Sequence, residues 1–247
     1  MVETPVITPS QFLGLEGVRS EDNRCTVAIV AFCPFRAMKD KANARPLDRS
    51  LFSHLHPAHQ FRGRVGGDEV LMVERVYGGP VCATVIEEMA YLGVKHVIGY
   101  GYSGSLRQDI ASGSIVLASL GIVSDGTSRE YSKGDVVEAS AALMSTYKRL
   151  DASVRAGACS GKAWTTDAIY REYPSKIQFW IERGADFVNM DTSHFYAVSR
   201  AVGIEALYFS VISDYVGGKE WKQDFLNIED SIELLQDMIL KLVTLIE

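Results

Sequence analysis

Apolar, largely β-branched runs recur along the chain: TVAIVAF (26–32), EVLMVERV (69–76), HVIGYG (96–101), SIVLAS (114–119) and EALYFSVIS (205–213). Near-continuous runs of this length predict strands covered on both faces. Between them the spacing turns helical. PVCATVIEEMAYLG (80–93) opens with a proline suited to a first helical position and closes on Gly93. EASAALMSTYKRL (138–150) and MDTSHFYAVSRAVG (190–203) read the same way, the second also stopping on a glycine. In the tail, Leu226, Ile228, Ile232, Leu235, Met238, Ile239, Leu242, Val243 and Ile246 fall near one face, which predicts a packing helix over 226–246. Strand and helix alternate, so the chain is expected to form a single α/β domain over 1–247 around a largely buried sheet.

Ligands of such sheets sit beyond the carboxyl ends of the strands. Three expected loops therefore matter most: the one after residue 31, the one at 99–106 and the one at 213–218. The second is unusual. VIGYGYSGSL (97–106) is an apolar run that breaks into a stretch carrying Gly99, Gly101 and Gly104, with hydroxyls at Tyr100, Tyr102, Ser103 and Ser105. Backbone with so little side-chain bulk approaches something closely. The candidates are a phosphate, a sugar, or another part of the same protein.

Composition narrows the function classes. The 247 residues are 47% hydrophobic and 23% charged, as in an ordinary globular protein, and the formal net charge of −6 argues against a nucleic-acid surface. No apolar run approaches the roughly 18 residues that span a bilayer, and the N-terminal stretch has neither a basic region nor an apolar core of a signal peptide. A cytoplasmic location without membrane attachment is the expectation. Cys25, Cys33, Cys82 and Cys159 form no C-x-x-C pair and read as reduced thiols. HLHPAH places His54, His56 and His59 close together, but no cysteine or carboxylate completes a metal set, and a polar loop is favoured. No metal and no cofactor is expected.

Several stretches, taken in order, resemble the nucleoside phosphorylase superfamily of purine nucleoside and uridine phosphorylases and their nucleosidase relatives. VYGGPVCATVIEEMAYLGVKHVIGYGYSGSL (76–106) resembles the family's G-x-G-G-P segment, its helix, and the strand ending in G-T-x-G-G-L. DIASGSIVLAS (109–119), DGTSREY (125–131) and AWTTDAIYRE (163–172) resemble the segments that follow. DFVNMDTSHFYAVSRAVGIEALYFSVISD (186–214) is similar to the family's V-x-M-E stretch and the strand ending in S-D. The resemblance covers about residues 26–216. It implies one α/β domain around a twisted, partly barrel-like mixed sheet flanked by helices, and a homo-oligomer.

The resemblance also implies chemistry. Breaking an N-glycosidic bond requires a proton for the leaving base and support for an oxocarbenium-like sugar. The family's proton donor falls on Asp214, where desolvation at the end of an apolar strand favours the protonated form; the alternative is an aspartate capping a turn. The S-D pair leans toward a purine-like nucleoside. The family's sugar clamp is the Glu of its M-E pair; here the pair is Met190-Asp191, one methylene shorter, with a solvated helix-end carboxylate as the alternative. Ser103 and Gly104, with Tyr102, would line the pocket. Thr166 falls in the family's wall for the base, Phe187 and Met190 would offer apolar surface, and Arg171 lies close to the base region, or else pairs with Asp167 or Glu172. His59 is a candidate to reach a neighbouring subunit's sugar.

The phosphate side departs from the family. Its G-D-P-x-R loop reads Phe32-Cys33-Pro34-Phe35-Arg36, so Arg36 is the one family arginine that remains. The other two fall near His59 and on Gly99, and the family's phosphate-touching threonine falls on Tyr102. The water-activating glutamate of hydrolytic relatives is also missing from its place. Phe32, Phe35, Tyr100 and Tyr102 rebuild this side, so the phosphate space is expected to hold either a bulkier ligand group or the pocket's own side chains. Three readings follow: cleavage of a purine-like nucleoside with little use of phosphate, a diverged enzyme converting another small molecule, and a non-catalytic binding or storage protein.

Overall fold

The computed structural model describes residues 5–154, 157–218, 220–225 and 228–246; Leu226 of the tail and Lys219 of the 213–218 loop's continuation lie outside them. In chain order the strands are β1 (Val27–Ala31), β2 (Arg45–Pro46), β3 (Gln60–Val65), β4 (Asp68–Val73), β5 (His96–Ser105) and β6 (Ile115–Ile122). They continue with β7 (Val136–Glu138), β8 (Cys159–Thr165), β9 (Phe187–Asn189), β10 (Glu205–Tyr215) and β11 (Lys222–Gln223). The helices are α1 (Pro9–Leu15), α2 (Met38–Lys41), α3 (Gly79–Tyr91), α4 (Gly126–Tyr131), α5 (Ala141–Val154), α6 (Pro174–Ile181), α7 (Thr192–Ala201) and α8 (Glu229–Val243).

One sheet carries the strands in the order β11-β10-β6-β8-β9-β5-β1-β4-β3-β2, with β7 paired to β6 off this path, and β10 also pairs with β5. That extra pairing closes β10, β6, β8, β9 and β5 into a ring, from which β1, β4, β3 and β2 extend as an open wing. The expected mixed, partly barrel-like sheet is this ring and wing.

The two-residue period of β1 splits the core. Ala28, Val30 and Phe32 face a cluster packed by α3 and α7, whereas Ile29, Ala31 and Cys33 face one packed by α5 and α8. In α8, Ile232, Leu235, Met238, Ile239, Leu242 and Val243 are buried, as the tail's spacing predicts. Each such side chain contributes about 1.5–3 kcal/mol by leaving water. Glycines stop α3 and α7 as expected, with Gly93 at φ 85° and Gly203 at φ 76°.

The stretch 99–106 departs from expectation. It is not a loop: β5 runs unbroken to Ser105, paired with β1 through Tyr100 and with β10 along its whole length. A ladder on both sides satisfies the backbone, so the glycines need not end the strand. Their purpose is steric. A Cβ on Gly99 would lie 2.8 Å from the Phe195 ring and 2.9 Å from that of Tyr208; one on Gly101 would lie 2.7 Å from the Tyr208 hydroxyl and 3.2 Å from an Asp191 carboxylate oxygen. What this stretch approaches is the protein's own aromatic side chains and two acids, Asp191 at Gly101 and Asp214 at Gly104.

Candidate active site

Asp214 sits on β10 at an irregularity. Ile212 pairs with Ser103 and Asp214 with Gly104, so Ser213 is an extra residue bulged out of the ladder. Such a bulge re-aims the side chain that follows it. Asp214 Oδ1 accepts from the Ser213 hydroxyl at 2.6 Å, and Oδ2 accepts from the indole N–H of Trp221 at 2.7 Å. Gly104 lies against the same carboxylate: a Cβ there would stand 3.3 Å from Asp214 Oδ2. Asp214 is half-buried. Beside it, burial first and the Asp214 charge second push the Glu172 carboxyl up to about 7, against the pull of Lys176.

Asp191 is the residue before α7, with only 8% of its surface exposed. It is not a solvated helix-end carboxylate. Asn189 Oδ1 takes the capping role, accepting from the Asp191 and Thr192 backbone N–H groups at 3.2 and 3.1 Å. Asp191 itself turns inward and accepts from the Tyr208 hydroxyl at 2.8 Å. Burial lifts its carboxyl to about 6; His194 and the Tyr208 bond hold it from rising further.

A polar chain joins the two acids. The Ser213 hydroxyl, whose proton is directed at Asp214, lies 3.3 Å from the Ser103 carbonyl as its alternative acceptor, and the Ser103 hydroxyl lies 2.7 Å from that of Ser210. The Asn189 amide donates to Ser103 Oγ and, at 2.8 Å, to Thr192 Oγ1. Behind Asp191, His194 is fully buried, its Nδ1 3.4 Å from Asp125 Oδ1. Asp125 also accepts from the hydroxyls of Ser128 and Ser193 and from the Ser128 N–H at 2.9 Å. Although burial works the other way, these bonds hold the Asp125 carboxyl well below its usual range.

The loop after β1, the anion corner that the resemblance implies, is fastened from two sides. The backbone N–H of Phe35 donates to buried Glu74 at 2.6 Å. Lys39 donates to the other Glu74 oxygen at 2.7 Å. The Phe35 carbonyl accepts from Gln236 of α8 at 2.7 Å. Arg36, held at φ 49°, is paired with Glu229 at 2.6 Å. The four aromatic side chains do not fill this corner together. Phe32 packs with Phe195 and Tyr208 on the Asp191 face, whereas Phe35, Tyr100 and half-buried Tyr102 lie on the α8 face. The alternation of β5 and of the β1 end forces that division.

Other expected residues fall out as follows. Phe187 is fully buried and its ring covers Gly161, so it is core and not an open surface for a base. Met190 is half-buried next to Asp191, and Thr166 is buried, its N–H bonded to the Asn189 carbonyl at 2.9 Å. Arg171 is exposed and donates to the Tyr173 hydroxyl at 3.3 Å rather than pairing with Asp167, which accepts from the Gly126 N–H. His59 lies 3.5 Å from Glu74, behind the loop at 33–36. His54 and His56 are engaged locally, by the Ser53 hydroxyl and the Ala58 N–H, and no group of three metal-ligating side chains forms among the described residues. The four cysteines are free thiols, and no helix among the described residues is long and apolar enough to cross a membrane.

Residues 26–246 match the model of the phosphorylase superfamily. The chain belongs to that superfamily. It is 33% identical over 242 residues, 93% of each chain, to the uncharacterized protein R802 of Acanthamoeba polyphaga mimivirus. It is 26% identical over 170 residues, 68% of this chain and 73% of the other, to a DeoD-type purine nucleoside phosphorylase of Caldanaerobacter subterraneus subsp. tengcongensis. The fold is similar to that of a Toxoplasma gondii purine nucleoside phosphorylase crystallised with immucillin-H: TM-score 0.78, 22% identity, covering 91% of this chain and 92% of that one. Members of the superfamily are nucleoside phosphorylases and nucleosidases. Within this superfamily member, sequence motifs pointed to Asp214 and Asp191 but not to Tyr208, Trp221, Glu172, Glu74 or Gln236. Glu172 ends the T-T-D-A-x-Y-R-E segment and was readable in principle; the others come from strands, loops and helices whose local pattern signals only packing.

Proposed function

We propose that this chain cleaves the N-glycosidic bond of a purine-like nucleoside without phosphate. Glu172, which the Asp214 charge helps keep protonated near neutrality, supplies the proton that Asp214 relays to the departing base as the C1′–N bond pair leaves with it. A water molecule adds to C1′, forming the new C–O bond, and its proton returns to the Asp214–Glu172 pair. Asp191, ionised above about pH 6, accepts from the sugar hydroxyls while the ring passes through its cationic state. The observation that carries the phosphate-free reading is the closed anion corner: the Phe35 N–H and Arg36 are both committed to carboxylates. A phosphate dianion entering there would meet Glu74 and Glu229 as well as the arginine.

A chromatographic assay of a nucleoside panel, with and without phosphate and beside Asp214→Asn, tests this. Base release that is indifferent to phosphate and lost in the variant is the expected result; release only with phosphate refutes it. A non-catalytic binding protein is the second reading, favoured by both Asp214 oxygens already being hydrogen-bonded, to Ser213 and Trp221. It predicts nucleoside-induced thermal stabilisation with no turnover.

A further inference from the structure

A second concave feature lies on the open wing of the sheet, away from the acids. Arg62 stands opposite Leu71, which pairs with Ala28 near the start of β1, whereas the candidate active site lies past the end of that strand. Here β2, β3, the turn after β2 and Asp22 line a half-open cavity of about 660 Å³. That size is within the range of small-molecule sites, roughly 300–1,000 Å³.

Its lining is unusual for a chain of net charge −6. Arg45, Arg49, Arg62 and Arg64 all face it, with Asp22, Asp48 and Glu69 as the acids. The guanidinium groups are only loosely matched by these carboxylates. Arg62 and Arg64 share Glu69 at 4.0 and 3.8 Å, and Arg49 stands 3.6 Å from Asp22. All three separations exceed the roughly 2.7–3.2 Å of an N–H···O bond. Asp22 Oδ2 is already used by the Arg19 N–H at 2.8 Å. Arg45 pairs with no carboxylate among the described residues, yet it lies directly opposite Arg62 across the β2–β3 ladder. Like charges placed directly opposite across a sheet destabilise it. An anion between them would remove that repulsion and take up the unused N–H groups.

We propose that this cavity is an anion site for a phosphate-bearing small molecule. Arg45 and Arg62 would hold one phosphate group between them, with Arg64 and Arg49 completing the shell. Guanidinium forks suit the tetrahedral oxygens of phosphate. Leu47 and Leu51 give the cavity an apolar side for the rest of the ligand. The proposal is independent of the nucleoside reading, because none of these residues belongs to the acid pair or the anion corner.

Thermal unfolding at constant ionic strength tests it, with inorganic phosphate, pyrophosphate and adenosine monophosphate as probes. The wild type and Arg36→Ala should both show a saturable rise in Tm, about 2–4 °C once a probe reaches a few times its Kd. The double variant Arg45→Ala/Arg64→Ala should lose that rise. Arg45→Gln/Arg64→Gln, which keeps the stems, should lose it too and guards against a folding defect. No rise with any probe overturns the proposal. So does a rise that survives in both double variants, or one that Arg36→Ala abolishes, since the anion would then sit at the loop after β1.

Discussion

Asp191 is where stability and ligand binding should pull in opposite directions. Its carboxyl titrates at about 6 in the folded protein, lifted chiefly by burial, against about 3.9 for a free aspartate. A carboxyl raised in this way costs the fold nothing below about pH 4, where it is protonated in both states. The cost grows as pH rises toward 6 and is complete above it. A gap of about two pKa units corresponds to about 3 kcal/mol. Asp191→Asn preserves the shape and still offers an oxygen to the Tyr208 hydroxyl, but removes the charge. The variant should therefore be more stable than the wild type by up to about 3 kcal/mol at pH 8, with the difference vanishing near pH 4. Urea unfolding followed by tryptophan fluorescence across this range measures it, with equal m-values as the check that the same transition is compared. Nucleoside cleavage should fall sharply in the same variant, because the amide carries no negative charge to support the cationic sugar and one of its two polar atoms can only donate. Parallel stability curves from pH 4 to 8 would refute the reasoning, as would a variant less stable at pH 8.

Three further outcomes follow from the same geometry. Tyr208→Phe deletes the 2.8 Å bond to Asp191; at about 1.5–3 kcal/mol for a bond to a charged group, the acid limb of the pH–activity profile should move up by about 1–2 units. An unmoved limb would count against Asp191 as the ionised clamp. Gly99→Ala drives a methyl into two buried aromatic rings and should cost about 1–3 kcal/mol, read as a lower Tm by calorimetry. Glu229→Ala frees Arg36 from an exposed pair; stability should change by less than about 0.5 kcal/mol and cleavage should stay indifferent to phosphate, because Phe35 remains fastened to Glu74 and Gln236. Cleavage that becomes sensitive to phosphate would mean that Glu229 alone keeps Arg36 from the anion.

The strands of the parallel centre and the tail helix were legible because burial on both faces, or on one stripe, leaves a direct periodic mark. The short strands β2, β7, β9 and β11, each of two or three residues, leave none. β5 misled in the opposite sense: its glycines are turn residues by propensity, yet Phe195 and Tyr208 need the space they leave. The site divides in the same manner. Asp214 and Asp191 stand in recognisable motifs, but the groups that orient them do not. The Gln236 bond to Phe35 spans 201 residues of sequence, and no local pattern announces a partner that distant.

The two-sided anchoring of Phe35 acts as a ratchet on what this chain can become by single substitutions. Glu74 is almost sealed from water, and its oxygens rely on the Phe35 N–H and on Lys39. A change that swings the loop open toward a phosphate strands this buried carboxylate, and losing a partner of a buried charge costs about 3–5 kcal/mol. A change at Glu74 alone leaves the loop still fastened through its carbonyl to Gln236. Reopening the corner thus requires coordinated replacements on β4, the loop after β1 and α8, each harmful by itself. On the proposed phosphate-free reading, stepwise mutation toward phosphate use would have to cross a valley of unstable intermediates, so single substitutions at this corner are steered toward other ligands.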